Sequence, residues 1–200
     1  MKFFLIRHAE TTANTKAVIL GRKDGGELSA RGKRQAMGVA RRLAKEKISE
    51  VYCSSANRAR ETARIIMGKR DCKTFYCDEL QEIDMGELEG LTHEEAETRC
   101  PRIFGEITAD TDKRIPGGES ILDVQKRVMP LIENLAKKEG DQTVVVVGHS
   151  IVNRVILNSL LELPLGSKAL KQKNVAISML DVKPGFSQLY TLDNSLHSIK

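Results

Sequence analysis

Four valines in succession, Val144–Val147, are the most restrictive stretch of this chain. A strand with one solvent-facing side alternates apolar and polar residues, so an unbroken apolar run suits a strand covered on both faces. Phe3–Ile6 has the same character. Val51–Cys53 and Thr74–Cys77 read as further strands, and Val175–Val182 with Gln188–Leu192 reads as a closing pair around the Pro184-Gly185 turn. Strands buried on both faces lie parallel and need helical crossovers between them.

The intervening segments supply those helices. Ser29 is a candidate N-cap, followed by an apolar stripe of Ala36, Val39, Ala40, Leu43 and Ala44. Arg58–Met67 forms a second helix with Ala59, Thr62, Ala63 and Ile66 inward. Ser120-x-x-Asp123 resembles a capping box, and Ile121, Val124, Val128, Leu131, Ile132 and Leu135 follow at helical spacing. Pro130 should kink that helix by removing a backbone bond, and Gly140 should end it. A fourth helix runs from about Ser150 to Leu161. The pattern predicts one α/β domain over 1–200 with a mostly parallel sheet. Residues 86–118 break the rhythm and read as a polar, lid-like excursion over the top of the sheet.

Ligands of open α/β sheets bind at the carboxyl ends of the strands. Arg7-His8 follows the first strand there, and Gly148-His149-Ser150 follows the valine strand. Arg58 falls in the first turn of the helix after Val51–Cys53. Two planar guanidinium forks beside histidine suit a phosphate, whose oxygens they bind bidentately. Glu82, flanked by Leu80 and Ile83, is expected to be a partly buried carboxyl with a raised pKa.

With these segments in order, the chain resembles the histidine phosphatase, or phosphoglycerate mutase-like, superfamily. Its signature after the first strand reads here Arg7-His8-Ala9-Glu10-Thr11-Thr12-Ala13-Asn14. The similarity continues through Gly21, Leu28-Ser29-x-x-Gly32-x-x-Gln35-Ala36, Ser54-Ser55-x-x-Arg58-Ala59-x-x-Thr62-Ala63, Leu80-x-Glu82, Gly117-Gly118-Glu119-Ser120, Arg127 and Val147-Gly148-His149. The resemblance implies a three-layer α/β/α sandwich and a phosphomonoesterase that works without a metal or other cofactor. It implies His8 as nucleophile forming a phosphohistidine, Arg7, Arg58 and His149 stabilising the transferred group, and Glu82 as general acid. Asn14 and the backbone N–H of Gly21 would add neutral donors to the substrate phosphate. Two positions depart from the pattern. Ala9 stands where glycine is usual and would be strained if φ were positive there. Ser150 also replaces a glycine, and is expected to cap the helix behind it.

Within the superfamily the chain looks similar to α-ribazole-5′-phosphate phosphatases and equally to broad-specificity phosphatases, so the substrate is a small phosphorylated metabolite. The rival readings are a phosphoglycerate mutase and an inactive phosphate-binding scaffold. The mutases of this type carry a longer, more basic insertion after the acid. Here Arg99, Arg102, Lys113 and Arg114 of the compact 90–116 segment are outnumbered by acidic residues, and nucleophile, clamp and acid are all present.

A net charge of +5 is scattered along the chain, and aromatics make up only 4%, which argues against nucleic acid as partner. No apolar run reaches membrane length. Cys53, Cys72, Cys77 and Cys100 show no C-x-x-C pairing, so neither a zinc site nor a disulfide framework is expected. The expected compartment is the cytoplasm, and a homodimer is compatible with the sequence.

Overall fold

Phe3–Ile6 and Val144–Val147 pair side by side as the two central strands of the sheet. In the computed structural model, which describes residues 1–23, 26–138 and 140–194, β1 (Lys2–Arg7) lies parallel to β4 (Thr143–Gly148), with Phe3 opposite Val144 and Ile6 opposite Val147. Beyond β4 come β2 (Glu50–Ser54) and β3 (Lys73–Cys77), both parallel. On the other side β5 (Ile177–Lys183) runs antiparallel to β1, and β6 (Phe186–Asn194) folds back along β5. The order is β3-β2-β4-β1-β5-β6, so the sheet is mostly parallel and the closing hairpin supplies one edge. The hairpin begins at Ile177, two residues later than the sequence suggests, because Val175 turns the chain with a φ of 56°.

Alternation along the central strands serves two cores. Phe4, Ile6, Val145 and Val147 face α2 (Ala30–Arg42) and α3 (Asn57–Met67). Phe3, Leu5, Val144 and Val146 face α6 (Ile121–Ala136) and α7 (Ser150–Leu160). These eight side chains are at most 1% exposed, and a fully buried side chain of this size stabilises by about 1.5–3 kcal/mol. The three-layer α/β/α sandwich follows. A four-residue turn, α1 (Thr12–Thr15), leads away from β1.

Ser29 and Ser120 cap α2 and α6 through their side chains, as their sequence contexts predict. Two readings need correction. The α6 helix carries Pro130 inside it and stops at Ala136, four residues before Gly140. The 86–118 excursion is not a polar strap. It holds α4 (His93–Arg99) and α5 (Ile103–Ala109), and buries Ala96, Ile103, Ile107 and Ile115 in the core shared with α6 and α7. Among the described residues no helix is long and apolar enough to cross a membrane.

Candidate active site

Three neighbouring strands, β2, β4 and β1, end together, and the sequence places a reactive residue just past each end. His8 follows β1, His149 follows β4, and Arg58 follows β2 in the first turn of α3. The two imidazole rings lie 5.1 Å apart between centroids and are tilted by 60°. His8 is 4% exposed, Arg58 4% and His149 0%.

Their partners assign the tautomers. His8 Nδ1 lies 2.8 Å from the carbonyl oxygen of Ala9, which can only accept, so Nδ1 carries the proton and Nε2 keeps its lone pair. Arg58 Nε donates to His149 Nδ1 at 3.3 Å, so His149 carries its proton on Nε2 and donates it to Ser54 Oγ at 2.7 Å. Burial, then the charges of Arg58 and Arg7, hold the His8 imidazole well below its ordinary value of 6.5. Burial, then Arg58 and His8, do the same for His149. Both rings are neutral near pH 7.

Ala9 is free of the strain considered for it. It is absent from the residues of positive φ, its N–H donates to Thr62 Oγ1 at 3.0 Å, and its methyl group is fully buried. Thr62 in turn donates to the Arg58 carbonyl at 2.6 Å, tying the loop after β1 to α3. Arg7 donates from Nη1 to the Gln172 carbonyl at 2.9 Å. The Gln172 side chain is locked by Leu5 O, Ser178 Oγ and Asn153 Nδ2.

Glu82 is half-buried, as its apolar neighbours suggest, but its surroundings are more specific than that. Its Oε1 accepts from the N–H groups of Ile83, Ile151 and Val152 at 3.0–3.2 Å, and Oε2 accepts from Ile151 at 3.2 Å. The carboxylate therefore caps α7, where the helix N-terminus favours negative charge. Ser150 is not the cap. His149 occupies the N-cap position without a side-chain cap bond, and the capping oxygens come from Glu82, far away in sequence.

Asn14 and Gly21 join the cluster through their oxygens. Asn14 Oδ1 accepts from Thr11 N–H and from Asn174 Nδ2, and Asn174 also donates to the His8 carbonyl at 3.0 Å. Its link to His8 passes through Asn174. Gly21 meets the cluster through its carbonyl, which accepts from Arg58 Nη2 at 2.7 Å. Its φ of 53° is left-handed, and a Cβ there would lie 2.1 Å from Glu89 Oε1, so the position needs glycine.

A cavity of about 230 Å³ opens above this cluster, lined by Gly21, Arg22, Ser55, Ala56, Arg58, Gln81 and Glu82. It does not reach His8 or His149; Arg58 belongs to both the cavity wall and the imidazole pair. A larger cavity of about 500 Å³ lies at the opposite, amino ends of β1 and β4 and contains none of these groups. Chemistry, not size, marks the site. Among the described residues no group of three or more His, Cys, Asp or Glu side chains is arranged to hold a metal ion.

A buried imidazole pair, the Arg58 guanidinium bonded to one of its rings and the cavity-lining Glu82 thus gather at the carboxyl ends of a mostly parallel α/β sheet. The chain belongs to the histidine phosphatase superfamily (branch 1), whose sequence profile matches residues 3–195. GpmB of Escherichia coli, which carries a phosphoglycerate mutase name, is 32% identical over 187 residues, covering 90% of this chain and 85% of that protein. The α-ribazole phosphatase of Shigella flexneri superposes with a TM-score of 0.87 at 26% identity, covering 98% of this chain and 97% of that one. A mycobacterial glucosyl-3-phosphoglycerate phosphatase superposes with a TM-score of 0.84 at 27% identity, covering 96% and 98%.

Proposed function

We propose that this protein hydrolyses small phosphate monoesters through a phosphohistidine on His8 Nε2, without a metal ion. The observation that carries the reading is the fixed tautomer of His8. Its Nδ1 proton is committed to Ala9 O, so the neutral ring presents its other nitrogen as a nucleophile beside Arg7, Arg58 and His149.

The Nε2 lone pair forms the N–P bond as the ester P–O bond breaks. The phosphoryl group keeps its negative charge on three equatorial oxygens, so catalysis rests on positioning and charge stabilisation. Arg7 and Arg58 supply the positive charge, and the bond from Arg58 Nη2 to Gly21 O orients its guanidinium. Glu82, which lines the cavity, serves as the general acid, its carboxyl passing a proton to the departing alkoxide. Water then attacks phosphorus, its proton passes to Glu82, and the N–P bond breaks to release inorganic phosphate and neutral His8.

The relative carrying a mutase name makes phosphoglycerate mutase the second reading. A mutase must hold its substrate's second anionic group, and three of the excursion's cations are paired with carboxylates. Arg99 pairs with Glu87, Lys113 with Glu106 and Arg114 with Asp123, and none of them lines the cavity. The phosphatases named above make α-ribazole-5′-phosphate and glycosylated phosphoglycerates reasonable first substrates to try. Four free thiols, Cys53, Cys72, Cys77 and Cys100, fit a reducing cytoplasmic setting.

A phosphate-release screen over phosphorylated metabolites, run with EDTA and repeated with His8→Ala, tests the reading. Activity should survive chelation and vanish in the variant. Loss on chelation overturns metal independence, full activity of His8→Ala overturns the nucleophile, and isomerisation of 3-phosphoglycerate faster than phosphate release favours the mutase.

A further inference from the structure

The wall of the cavity beyond the phosphate cluster carries no aromatic and no large aliphatic side chain. Next to Glu82 it presents Gln81, Ser55 and Arg22. These three are held in fixed orientations. Gln81 Nε2 donates to Ser55 Oγ at 2.7 Å and to Asp78 Oδ1 at 2.9 Å, and Ser55 Oγ also donates to Asp78 Oδ1. Ser55 Oγ and Asp78 Oδ1 lie side by side and share one amide hydrogen, so Gln81 keeps its amide oxygen Oε1 as an acceptor and its second N–H as a donor. Arg22 donates from Nη2 to Glu119 Oε1 at 2.6 Å and from Nε to the Glu82 carbonyl at 3.4 Å, which leaves Nη1 as a donor. A hydroxyl group both accepts and donates, and this acceptor–donor pair matches it.

The local charge gives an anionic leaving group no advantage. Arg22 is already paired with Glu119, which Arg127 also grips through Nε and Nη2. Asp78 and Glu79 line the adjoining cavity with Gln81, Arg22 and Arg127. Asp78, Glu79, Glu82 and Glu119 stand among three guanidinium groups, Arg22, Arg58 and Arg127; with Arg58 turned to the phosphate, the other two are both bonded to Glu119 and offer little attraction to an anionic leaving group. An aromatic base finds no apolar wall to cover it.

We propose that Gln81 and Arg22, positioned by Ser55, Asp78 and Glu119, form a subsite for a neutral hydroxyl-bearing leaving group, making monophosphates of polyols and small sugars the substrate class. The proposal rests on the hydrolase reading above and adds the identity of what leaves. On expulsion, the alkoxide takes its proton from Glu82, and its neighbouring hydroxyl accepts from Arg22 Nη1 and donates to Gln81 Oε1.

Three esters separate the alternatives: glycerol 3-phosphate, its carboxylated counterpart 3-phosphoglycerate, and phenyl phosphate. The wild-type protein should show kcat/KM for glycerol 3-phosphate about tenfold or more above that for 3-phosphoglycerate. Gln81→Leu should lower kcat/KM for glycerol 3-phosphate about tenfold more than for phenyl phosphate, the factor that one lost hydrogen bond of ordinary strength gives. Ser55→Ala, which frees the amide to rotate, should shift the same ratio in the same direction by a smaller factor, and provides the test should Gln81→Leu fail to fold. Equal slowing of both esters in these variants, or a wild-type preference for 3-phosphoglycerate, overturns the subsite while hydrolysis itself stands. If no ester releases phosphate, the hydrolase reading fails and takes the subsite with it.

Discussion

The floor of the site and the excursion above it are built in opposite ways. At the floor, buried polar groups are fixed by buried polar groups: Arg7 by the Gln172 carbonyl, Gln172 by Asn153 and Ser178, His149 by Ser54, the His8 loop by Thr62. In the 86–118 excursion, apolar residues anchor two short helices while the charged groups pair near the surface, as Arg99 does with Glu87 and Lys113 with Glu106. Low dielectric makes the first kind of contact strong when complete and costly when broken, whereas solvent reduces the second to about 0–1 kcal/mol. The floor's contacts are the costlier to break, and the excursion meets the site through Glu89, which accepts from the Arg22 N–H and packs against Gly21.

The largest expected effect lies where the two regions meet. Glu82→Gln should slow hydrolysis of alkyl phosphates by about 10²–10⁴, the usual contribution of a general acid, and slow p-nitrophenyl phosphate far less because that leaving group needs no proton. Steady-state kinetics on both esters checks this, and equal slowing contradicts the acid role. Next comes Gln172→Leu, which strips partners from Asn153, Ser178 and the Leu5 carbonyl. Unsatisfied buried polar groups cost about 1–3 kcal/mol, and each kcal/mol moves Tm by roughly 2–4 °C in a domain of this size, so thermal unfolding should show a drop of several degrees. The same variant should raise KM through a looser Arg7, and an unchanged Tm would show that the network is dispensable.

Acidification probes the floor without mutation. His8 and His149 stay neutral in the fold, while in the unfolded chain each takes up a proton below about 6.5. The unfolded state then binds more protons, so stability falls as the pH drops from 6.5 toward the depressed native values. The slope is up to about 1.4 kcal/mol per pH unit for each ring. Denaturant unfolding between pH 7.5 and 5 measures it, and His8→Phe should flatten the curve; a flat wild-type curve would mean that the rings charge within the fold. The smallest effects belong to the excursion. Arg99→Ala and Arg114→Ala should change stability by no more than about 0.5 kcal/mol and kcat/KM by less than twofold, and a tenfold loss in either would place the excursion's cations in the site.

Much of the floor was legible because strand ends announce themselves. An unbroken run such as Val144–Val147 fixes a central strand, and whatever follows it, here His149, falls at the carboxyl edge where ligands bind. Arg7, His8, Arg58 and Glu82 were readable for the same reason, helped by an ordered set of family motifs. The supports were not. Gln172, Asn153 and Asn174 act through pairings between residues distant in sequence, and Glu82 caps α7 in place of Ser150 across a similar gap. Ser54, Thr62 and Gln35 appear in the motifs, yet their tasks as hydrogen-bond partners of His149, Ala9 and Glu10 show only in three dimensions. The two helices inside the excursion are not legible in the sequence because seven-residue helices give too few turns for periodicity to emerge. One local signal was present: Thr92-x-x-Glu95 is a complete capping box.

The central claim is that the phosphoryl group passes through His8 Nε2. Rapid acid-free quenching during turnover of a good ester, followed by peptide mass spectrometry and phosphorus NMR, reads it directly. The account predicts one acid-labile phosphoryl group on the peptide containing His8, attached at Nε2 and absent in His8→Ala. Label on His149, or turnover with no phosphorylated protein during a burst of product, would contradict it.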